Sequence, residues 1–166
     1  MNDKPLVLCV EDDAMFGSLV KDSAPDFSVD VAMNGFYWAK HVTEKNKKYV
    51  AVVLDGQFLL TELWEMEKEA IVQELIAIYE ELDIERQSYR RKSSVAWIVF
   101  IHFLVRKGVD ITQLFWILNS SIHGQDLQKE LESFWVHPDK IKSIYDKWDM
   151  LWYQRAFTNL KAAIGL

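Results

Sequence analysis

The stretch 49–55 reads YVAVVLD, six apolar or aromatic residues followed by one carboxylate, Asp55. A short run of this kind predicts a strand that is buried on both faces, as in a parallel sheet covered by helices. The stretch 6–10, LVLCV, has the same character and runs directly into the acids at 11–13. Buried strands of this kind that alternate with helical patterns favour an α/β protein.

The segments around these two strands alternate between helix and strand patterns. Apolar residues at helical spacing, and others at period two, predict three further strands and five helices of ordinary length. We expect strands at 27–31, 114–118 and 134–137, and helices at 14–23, 36–46, 95–107, 125–132 and 138–163. Together these elements predict a doubly wound, five-stranded parallel sheet in a single domain that covers residues 1–166.

The charged stretch after the third strand departs from this alternation. Residues 61–88 carry apolar residues at helical spacing with acids on the opposite face, which predicts an extra long helix within an insert at about 58–93. A helix of about 25 residues is about 38 Å long, more than a small domain is expected to offer as a docking surface. Its apolar stripe either packs on the domain or is left partly free for a partner or a second copy of the chain.

Composition narrows the class of protein. Hydrophobic residues make up 50% of the chain, which favours a packed globular domain, and the net charge of −6 argues against a nucleic-acid-binding surface. The single cysteine, Cys9, cannot form an internal disulfide, which fits a reducing cytoplasm. The amino terminus does not resemble a signal peptide, and the longest apolar stretch, 95–105, is too short to span a bilayer. We expect a cytoplasmic protein with no membrane partner.

Polar residues stand at the carboxyl ends of four predicted strands, and ligands gather at this edge of an open parallel sheet. These residues are Glu11 and Asp12 after the first strand, Asp55 after the third, Asn-Ser-Ser at 119–121 after the fourth, and His137 after the fifth. Carboxylates from two strands repel each other unless a cation lies between them, and oxygen ligands suit Mg²⁺. A carboxylate beside that cation can attack a phosphoryl group. The alternative is that each acid only ends a strand or caps a helix.

Four stretches of the sequence resemble the response-regulator receiver domains of two-component signal transduction. LVLCVEDDAMF at 6–16 is similar to their first strand and acidic turn, and VAVVLDGQF at 50–58 is similar to their third strand with its phosphoacceptor aspartate. LFWILNSS and FWVHPD, beginning at Leu114 and Phe134, fall where the family has its fourth and fifth strand ends. The resemblance covers residues 5–57 well and about 94–163 more loosely, and it leaves out 58–93. It implies the flavodoxin-like fold of the family.

The resemblance also implies a set of site residues. Glu11 and Asp12 match the acidic pair that holds Mg²⁺, Asp12 directly and Glu11 through water, and the backbone carbonyl of Gln57 matches a further ligand. Asp55 matches the residue that accepts the phosphoryl group and also binds the metal. Ser120 matches the hydroxyl that bonds the phosphoryl oxygens, although a shift of one residue would move that role to Asn119 or Ser121.

Two positions depart from the family pattern. His137 stands where the family has a lysine. Phe134, three residues earlier, matches the position of the family's switch aromatic. A histidine is neutral for much of the time near pH 7, so the loss of lysine affects signal relay more than metal binding. The second departure is the insert, which begins beside the Mg²⁺ ligand Gln57 where the family has a short loop.

The resemblance implies a function as well as a fold. We expect a stand-alone receiver that takes a phosphoryl group on Asp55 from a histidine kinase or a histidine phosphotransfer protein, with Mg²⁺ as cofactor. Because no output domain is expected after residue 163, the signal would pass by protein–protein contact to an unidentified downstream protein, with a homodimer through the insert helix as a further possibility. The chain would not be an enzyme beyond self-phosphorylation and self-dephosphorylation. The alternative is a phosphorylation-independent pseudo-receiver, and an aspartate-nucleophile phosphatase is disfavoured because 55–57 lacks the second acid of an Asp-x-Asp pattern.

Overall fold

The structure is a computed structural model that describes residues 4–44, 47–55, 68–84, 96–119, 124–143 and 149–166. Within these residues five strands form one sheet, all of whose paired neighbours run parallel, in the order β2-β1-β3-β4-β5. This is the strand order of the flavodoxin-like fold, so the predicted α/β class and the doubly wound five-stranded sheet are confirmed. The strands are β1 (Leu6–Val10), β2 (Ser28–Ala32), β3 (Tyr49–Asp55), β4 (Phe115–Asn119) and β5 (Ile141–Ser143). The helices are α1 (Ala14–Ser23), α2 (Gly35–Thr43), α3 (Ala70–Glu81), α4 (Ala96–Arg106), α5 (Gly124–Ser133) and α6 (Met150–Ala163).

The two faces of the sheet carry separate hydrophobic clusters, because successive residues of a strand point to opposite faces. One face is covered by α1 and α6, and we call it the α1/α6 face. Its strand residues include Val7, Cys9, Val53 and Ile117. The other face is covered by α2, α3, α4 and α5, and its strand residues include Leu8, Val10, Leu54 and Leu118. Burial on both faces explains why the central strands read as continuous apolar runs.

Helix α1 starts directly behind the acids that end β1. Asp13 is its N-cap, and Asp13 Oδ1 accepts a hydrogen bond from the backbone N–H of Met15 over 2.8 Å. Gly17 faces β2, where an added Cβ would lie 2.9 Å from Val31 Cγ1. Glycine at this position therefore lets α1 lie close to the sheet, and the cap and the close packing together hold the acidic turn against the strand ends.

The crossover from β3 to β4 contains α3 and α4, and α3 is much shorter than the predicted helix at 61–88. Lys68 and Glu69 are not α-helical, and the helix ends at Glu81 before Asp83, whose φ is +53°. A left-handed residue of this kind stops a helix. The 12 residues of α3 span about 18 Å at 1.5 Å per residue. The rest of the predicted insert, 58–67 and 85–93, lies outside the described residues.

The apolar stripe of α3 is buried in the domain. Leu75, Ile78 and Tyr79 are at most 1% exposed and belong to the cluster shared with α2 and α4. The apolar stripe of α3 is therefore not left free for a partner, because a 12-residue helix is short enough to be covered along its length. The homodimer expected through the insert helix stays a prediction, since 58–67 and 85–93 lie outside the described residues.

The fifth strand lies later in the chain than predicted. Residues 134–137 are not a strand: Phe134 and Trp135 form the turn that closes α5, and the φ of Trp135 is +66°. Pro138 does not begin the C-terminal helix but a short 3₁₀ helix at Pro138–Lys140, and the strand that pairs with β4 is Ile141–Ser143. The apolar run 134–136 misled the prediction because the end of a helix can carry the same residue types as a buried strand.

Among the described residues, no helix combines the length and the apolar character needed to cross a bilayer. The apolar stretch 95–105 was expected to be too short to span a bilayer, and most of it forms α4. This helix is apolar on almost every side and is buried against α2, α3 and α5. Trp38 of α2 packs edge-on against Phe100 and Phe103 of α4, with ring centroids 4.7 and 5.2 Å apart. These three aromatic rings therefore fill part of the core on the side of the sheet opposite α1 and α6.

Candidate functional site

Strand alternation brings three polar side chains to one place at the carboxyl edge of the sheet. Glu11, Asp55 and Asn119 each stand two residues beyond a strand residue of the α1/α6 face, namely Cys9, Val53 and Ile117. The backbone N–H of Glu11 still bonds to β2, and Asp55 and Asn119 are paired in register. The side chains of all three therefore point to the α1/α6 face.

The carboxylates of Glu11, Asp12 and Asp55 form a cluster, which we call the acidic cluster. One carboxylate oxygen of each lies within 4.8 Å of the others. Glu11 is 1% and Asp55 is 8% exposed, so water screens their mutual repulsion poorly. Three like charges at this separation favour either protonation or a bound cation.

A hydrogen bond ties the acidic cluster to β4. Asn119 Nδ2 donates to Glu11 Oε2 over 3.0 Å, and the other oxygen of Glu11 accepts from the backbone N–H of Asp13 over 3.2 Å. Both oxygens of Glu11 are thus held by donors. This orientation leaves Asp12 and Asp55 as the carboxylates best placed to bind a cation directly.

Helix α6 adds a residue to the site that the sequence analysis did not identify. Tyr153 is fully buried on the α1/α6 face, where burial and the nearby Cys9, Glu11 and Asp55 raise the pKa of its hydroxyl well above the usual range. The side chain of Asn119 lies near enough to oppose that rise in pKa, but the two groups do not meet with hydrogen-bond geometry. The phenol is therefore a neutral hydroxyl beside the acidic cluster.

Two polar atoms of uncharged side chains at the site have no hydrogen-bond partner among the described residues. They are Tyr153 Oη and Asn119 Oδ1, in side chains that are 0% and 1% exposed. Buried polar atoms of this kind are rare in folded proteins and point to a bound water, ion or ligand. The helical spacing of Tyr153 with Phe157 and Leu160 marks it as buried in the sequence, but it does not reveal which strand ends the hydroxyl meets.

The donor set fits a hard divalent cation. The acidic cluster supplies only oxygen atoms, and the unpartnered atoms of Asn119 and Tyr153 are oxygens as well. Mg²⁺ prefers carboxylate oxygens together with several water molecules, whereas structural zinc sites are built from cysteine sulfur and histidine nitrogen. Glu11, Asp12 and Asp55 are the residues that would hold such an ion.

The structure does not bring every predicted site residue to this edge of the sheet. His137 precedes β5 and its side chain is 70% exposed, with Nδ1 3.3 Å from Asp139 Oδ2. The 3₁₀ helix that follows it ends at Lys140, which bonds to the carbonyl of Thr112 ahead of β4. His137 therefore lies toward the amino edge of the sheet, and its predicted place at the end of the fifth strand is wrong because that strand begins at Ile141.

Phe134, the predicted switch aromatic, is also away from the acidic cluster. Its ring packs edge-on against His102 of α4, with centroids 5.2 Å apart, at the end of α5. Gln57 and Ser120 lie outside the described residues, as does Ser121, so their predicted roles stay predictions. Segment 144–148, which follows β5 and contains Lys147, also lies outside the described residues.

Comparisons with known proteins found no match to the chain. No protein-family model matches the chain, and it matches neither a curated protein nor a solved structure. The class of the protein is thus defined by its fold and its site: a flavodoxin-like α/β domain with three clustered carboxylates at the carboxyl edge of a parallel sheet. Ligands of such folds bind at this edge, beyond the strand ends.

Proposed function

We propose that the chain is a receiver-type domain in which Asp55 accepts a phosphoryl group in a reaction that depends on Mg²⁺. The observation that carries this proposal is the convergence of Asp55 with Glu11 and Asp12 within 4.8 Å at the carboxyl edge of the sheet. Asp55 is the last residue of the central strand β3, so its carboxylate is held on a rigid element. A nucleophile held in this way needs little reorganisation to react.

The proposed reaction is a simple displacement at phosphorus. One oxygen of Asp55 attacks the phosphorus atom, and an O–P bond forms while the bond to the leaving group breaks. The leaving group departs with the bonding electron pair, and in a phosphohistidine donor this is the ring nitrogen. Hydrolysis of the resulting acyl phosphate returns the carboxylate and inorganic phosphate.

The other residues of the acidic cluster prepare the site for this reaction. A divalent cation bound by Glu11, Asp12 and Asp55 would neutralise the phosphoryl oxygens as the donor approaches. Asn119 and the N–H of Asp13 keep the carboxylate of Glu11 in position. Partners of the proposed domain are a histidine kinase or a histidine phosphotransfer protein as donor, and a downstream protein that reads the phosphorylated state.

The lysine role of the receiver family passes to a different residue in this proposal. His137 stands ahead of β5, whereas Lys147 follows β5 in the chain and precedes α6, which begins at Met150. A lysine at the carboxyl end of the fifth strand is what the family pattern requires. Because His137 precedes β5 in the chain, we propose that Lys147 takes the lysine role.

The proposal is tested by incubating the protein with acetyl phosphate and Mg²⁺ and measuring its intact mass. We expect the wild type to gain one phosphoryl group and Asp55→Asn to gain none. Asp13→Asn is the matched control, because Asp13 is a half-buried neighbouring acid that caps α1 and is not part of the acidic cluster. The proposal is wrong if the wild type stays unlabelled under conditions that label an ordinary receiver, or if Asp55→Asn is labelled as fully as Asp13→Asn. Labelling of the wild type without Mg²⁺ would contradict the metal requirement.

A further inference from the structure

Tyr153 and Asn119 form a pair of buried polar side chains beside the acidic cluster, which we call the polar pair. Both side chains are at most 1% exposed, and each has an oxygen with no partner among the described residues. Leaving a buried polar atom without a partner is costly, so the pair is expected to meet a ligand that forms hydrogen bonds.

The position of the polar pair connects it with the acidic cluster. Asn119 lies at the end of β4, in register with Asp55 of β3, and points to the α1/α6 face. Tyr153 reaches the same face from the first turn of α6, a helix that begins beyond the carboxyl end of β5. Asn119 Nδ2 donates a hydrogen bond to Glu11 Oε2 over 3.0 Å, and the carboxylates of Glu11 and Asp55 contribute to the raised pKa of Tyr153. The polar pair and the acidic cluster therefore line one site.

The chemistry of the polar pair selects the ligand. A bare cation is well served by carboxylates but accepts no hydrogen bond and donates none. A water molecule bound to a cation directs its oxygen toward the metal and has two protons left to donate. Asn119 Oδ1 and Tyr153 Oη are two acceptors on one side of the acidic cluster.

We propose that Asn119 and Tyr153 bind a water molecule of a hydrated divalent cation, so that the acidic cluster selects an ion that keeps its water. This inference rests on the metal site of the proposed function and adds its specificity. Mg²⁺ demands near-ideal octahedral geometry and usually keeps several water molecules when it binds to a protein, whereas Ca²⁺ takes six to eight oxygen ligands in flexible geometry and depends less on any one fixed water. The polar pair therefore favours Mg²⁺ over Ca²⁺, and Tyr153 acts as a specificity-determining residue that touches the bound water.

The experiment is calorimetric titration of the unphosphorylated protein with MgCl₂ and, separately, with CaCl₂. Tyr153→Phe removes one oxygen and keeps the ring. We expect the Mg²⁺ dissociation constant to rise about threefold to tenfold in this variant, the effect of one lost hydrogen bond, and the Ca²⁺ constant to change less than about twofold. Tyr79→Phe is the matched control, because Tyr79 is a fully buried tyrosine on the opposite face of the sheet. We expect it to leave both constants unchanged.

The outcomes separate this inference from the proposed function. If the wild type binds Mg²⁺ and Tyr153→Phe binds it equally well, the role of Tyr153 is wrong while the metal site stands. An equal loss of Mg²⁺ and Ca²⁺ binding also overturns the inference, because it indicates a general structural effect. If the wild type binds neither cation, the metal site itself is wrong.

A second measurement covers the case in which Tyr153→Phe folds poorly. In a crystal structure of the wild type with Mg²⁺, we expect a metal-bound water within hydrogen-bond distance of Asn119 Oδ1 and Tyr153 Oη. Direct coordination of the metal by either side chain would overturn the proposal. A Mg²⁺ ion whose waters contact neither side chain would overturn it as well.

Discussion

Asn119 Nδ2 donates a hydrogen bond to Glu11 Oε2 over 3.0 Å and so joins β4 to β1. In the strand order these two strands lie on either side of β3, whose last residue is Asp55. The bond thus links side chains from the two strands that flank the proposed phosphoacceptor. It fixes the position of Glu11 in a part of the protein where a misplaced carboxylate would be costly.

The first prediction concerns this bond. Asn119→Ala leaves the buried carboxylate of Glu11 without one of its donors and should lower the free energy of unfolding by about 1–3 kcal/mol. Urea denaturation monitored by circular dichroism measures the change. Asn159→Ala on the exposed side of α6 serves as the control and should change stability by at most about 0.5 kcal/mol. Equal losses in both variants would show that the bond to Glu11 contributes little.

The second prediction uses the repulsion within the acidic cluster. In the presence of a metal chelator, Asp55→Asn should raise the free energy of unfolding by an amount on the order of 1 kcal/mol. The reason is that it removes one of three clustered carboxylates and with it part of their mutual repulsion. With Mg²⁺ at a hundredfold excess over its dissociation constant, the wild type should gain about 2.7 kcal/mol and Asp55→Asn much less. Asp22→Asn, on the exposed side of α1, should respond to Mg²⁺ as the wild type does. A wild type whose unfolding curve ignores Mg²⁺ would contradict the prediction.

The third prediction separates His137 from the reaction. Because its side chain is 70% exposed and precedes β5, His137→Gln should accept a phosphoryl group from acetyl phosphate at the rate of the wild type. Lys147→Gln, chosen from its position in the chain after β5, should keep Mg²⁺ binding but weaken the response to phosphorylation. Intact mass gives the labelling rate, and tryptophan fluorescence gives the response. A clear loss of labelling in His137→Gln would show that His137 takes part in the phosphoryl transfer.

The fourth prediction concerns pH and a polar cluster at the start of β3. Lys47 Nζ lies 2.9 Å from His41 Nδ1 and 3.0 Å from Asp30 Oδ2, and Tyr49 Oη donates to the same oxygen of Asp30 over 2.8 Å. Burial lowers the pKa of His41, and the charge of Lys47 lowers it further. Burial alone would raise the pKa of Asp30, but hydrogen bonds from Lys47 and Tyr49 lower it.

The sign of the pH effect follows from these directions. The pKa of His41 in the folded protein lies below its unfolded value of about 6.5, so the unfolded chain binds the proton more readily. The stability from neutral His41 is complete above that pH and is lost as the pH falls below it toward the folded pKa. The contribution of Asp30 is lost only below its unfolded value of about 3.8. The urea concentration at the unfolding midpoint should therefore decrease as the pH is lowered below about 6.5. In His41→Gln this midpoint should depend less on pH over the same range. An unchanged slope in that variant would assign the effect to another group.

The fifth prediction tests how closely α1 approaches the sheet. Gly17→Ala places a methyl group 2.9 Å from Val31 Cγ1 and should destabilise the fold by about 1–3 kcal/mol through overpacking. Val31→Ala makes room for that methyl group, so the double variant should lose less stability than the sum of the two single variants. Additive losses, measured by urea denaturation, would show that the two positions do not compete for space.

Much of the fold was predictable because its signals are local. The bounds predicted for β1 and α1 agree with those of the structure, since an apolar run ending in acids, and a helix capped by Asp13, are both short-range patterns. The errors arose where short-range signals were ambiguous. The run 134–136 has the apolar character of a strand but forms the end of α5, and the true strand, Ile141–Ser143, is too short and too polar to be recognised alone.

The acidic cluster was predictable from sequence, because strand alternation and a parallel sheet bring the ends of β1 and β3 together whatever the details of packing. The polar pair was not, because Tyr153 and Asn119 are 34 residues apart in the chain (153 minus 119) and their positions relative to each other depend on how α6 crosses the sheet. The length of α3 was overestimated for a similar reason, since the left-handed turn at Asp83 leaves no clear mark in the sequence.

The sequence by itself determined the α/β class and the clustering of Glu11, Asp12 and Asp55, since both follow from periodicity and from the common direction of parallel strands. Only the tertiary structure decided that His137 precedes β5 with an exposed side chain and that Tyr153 is buried on the α1/α6 face. The physical reason is that hydrophobic patterning specifies which residues are buried, whereas the contacts between distant buried groups are set by the packing of helices on the sheet.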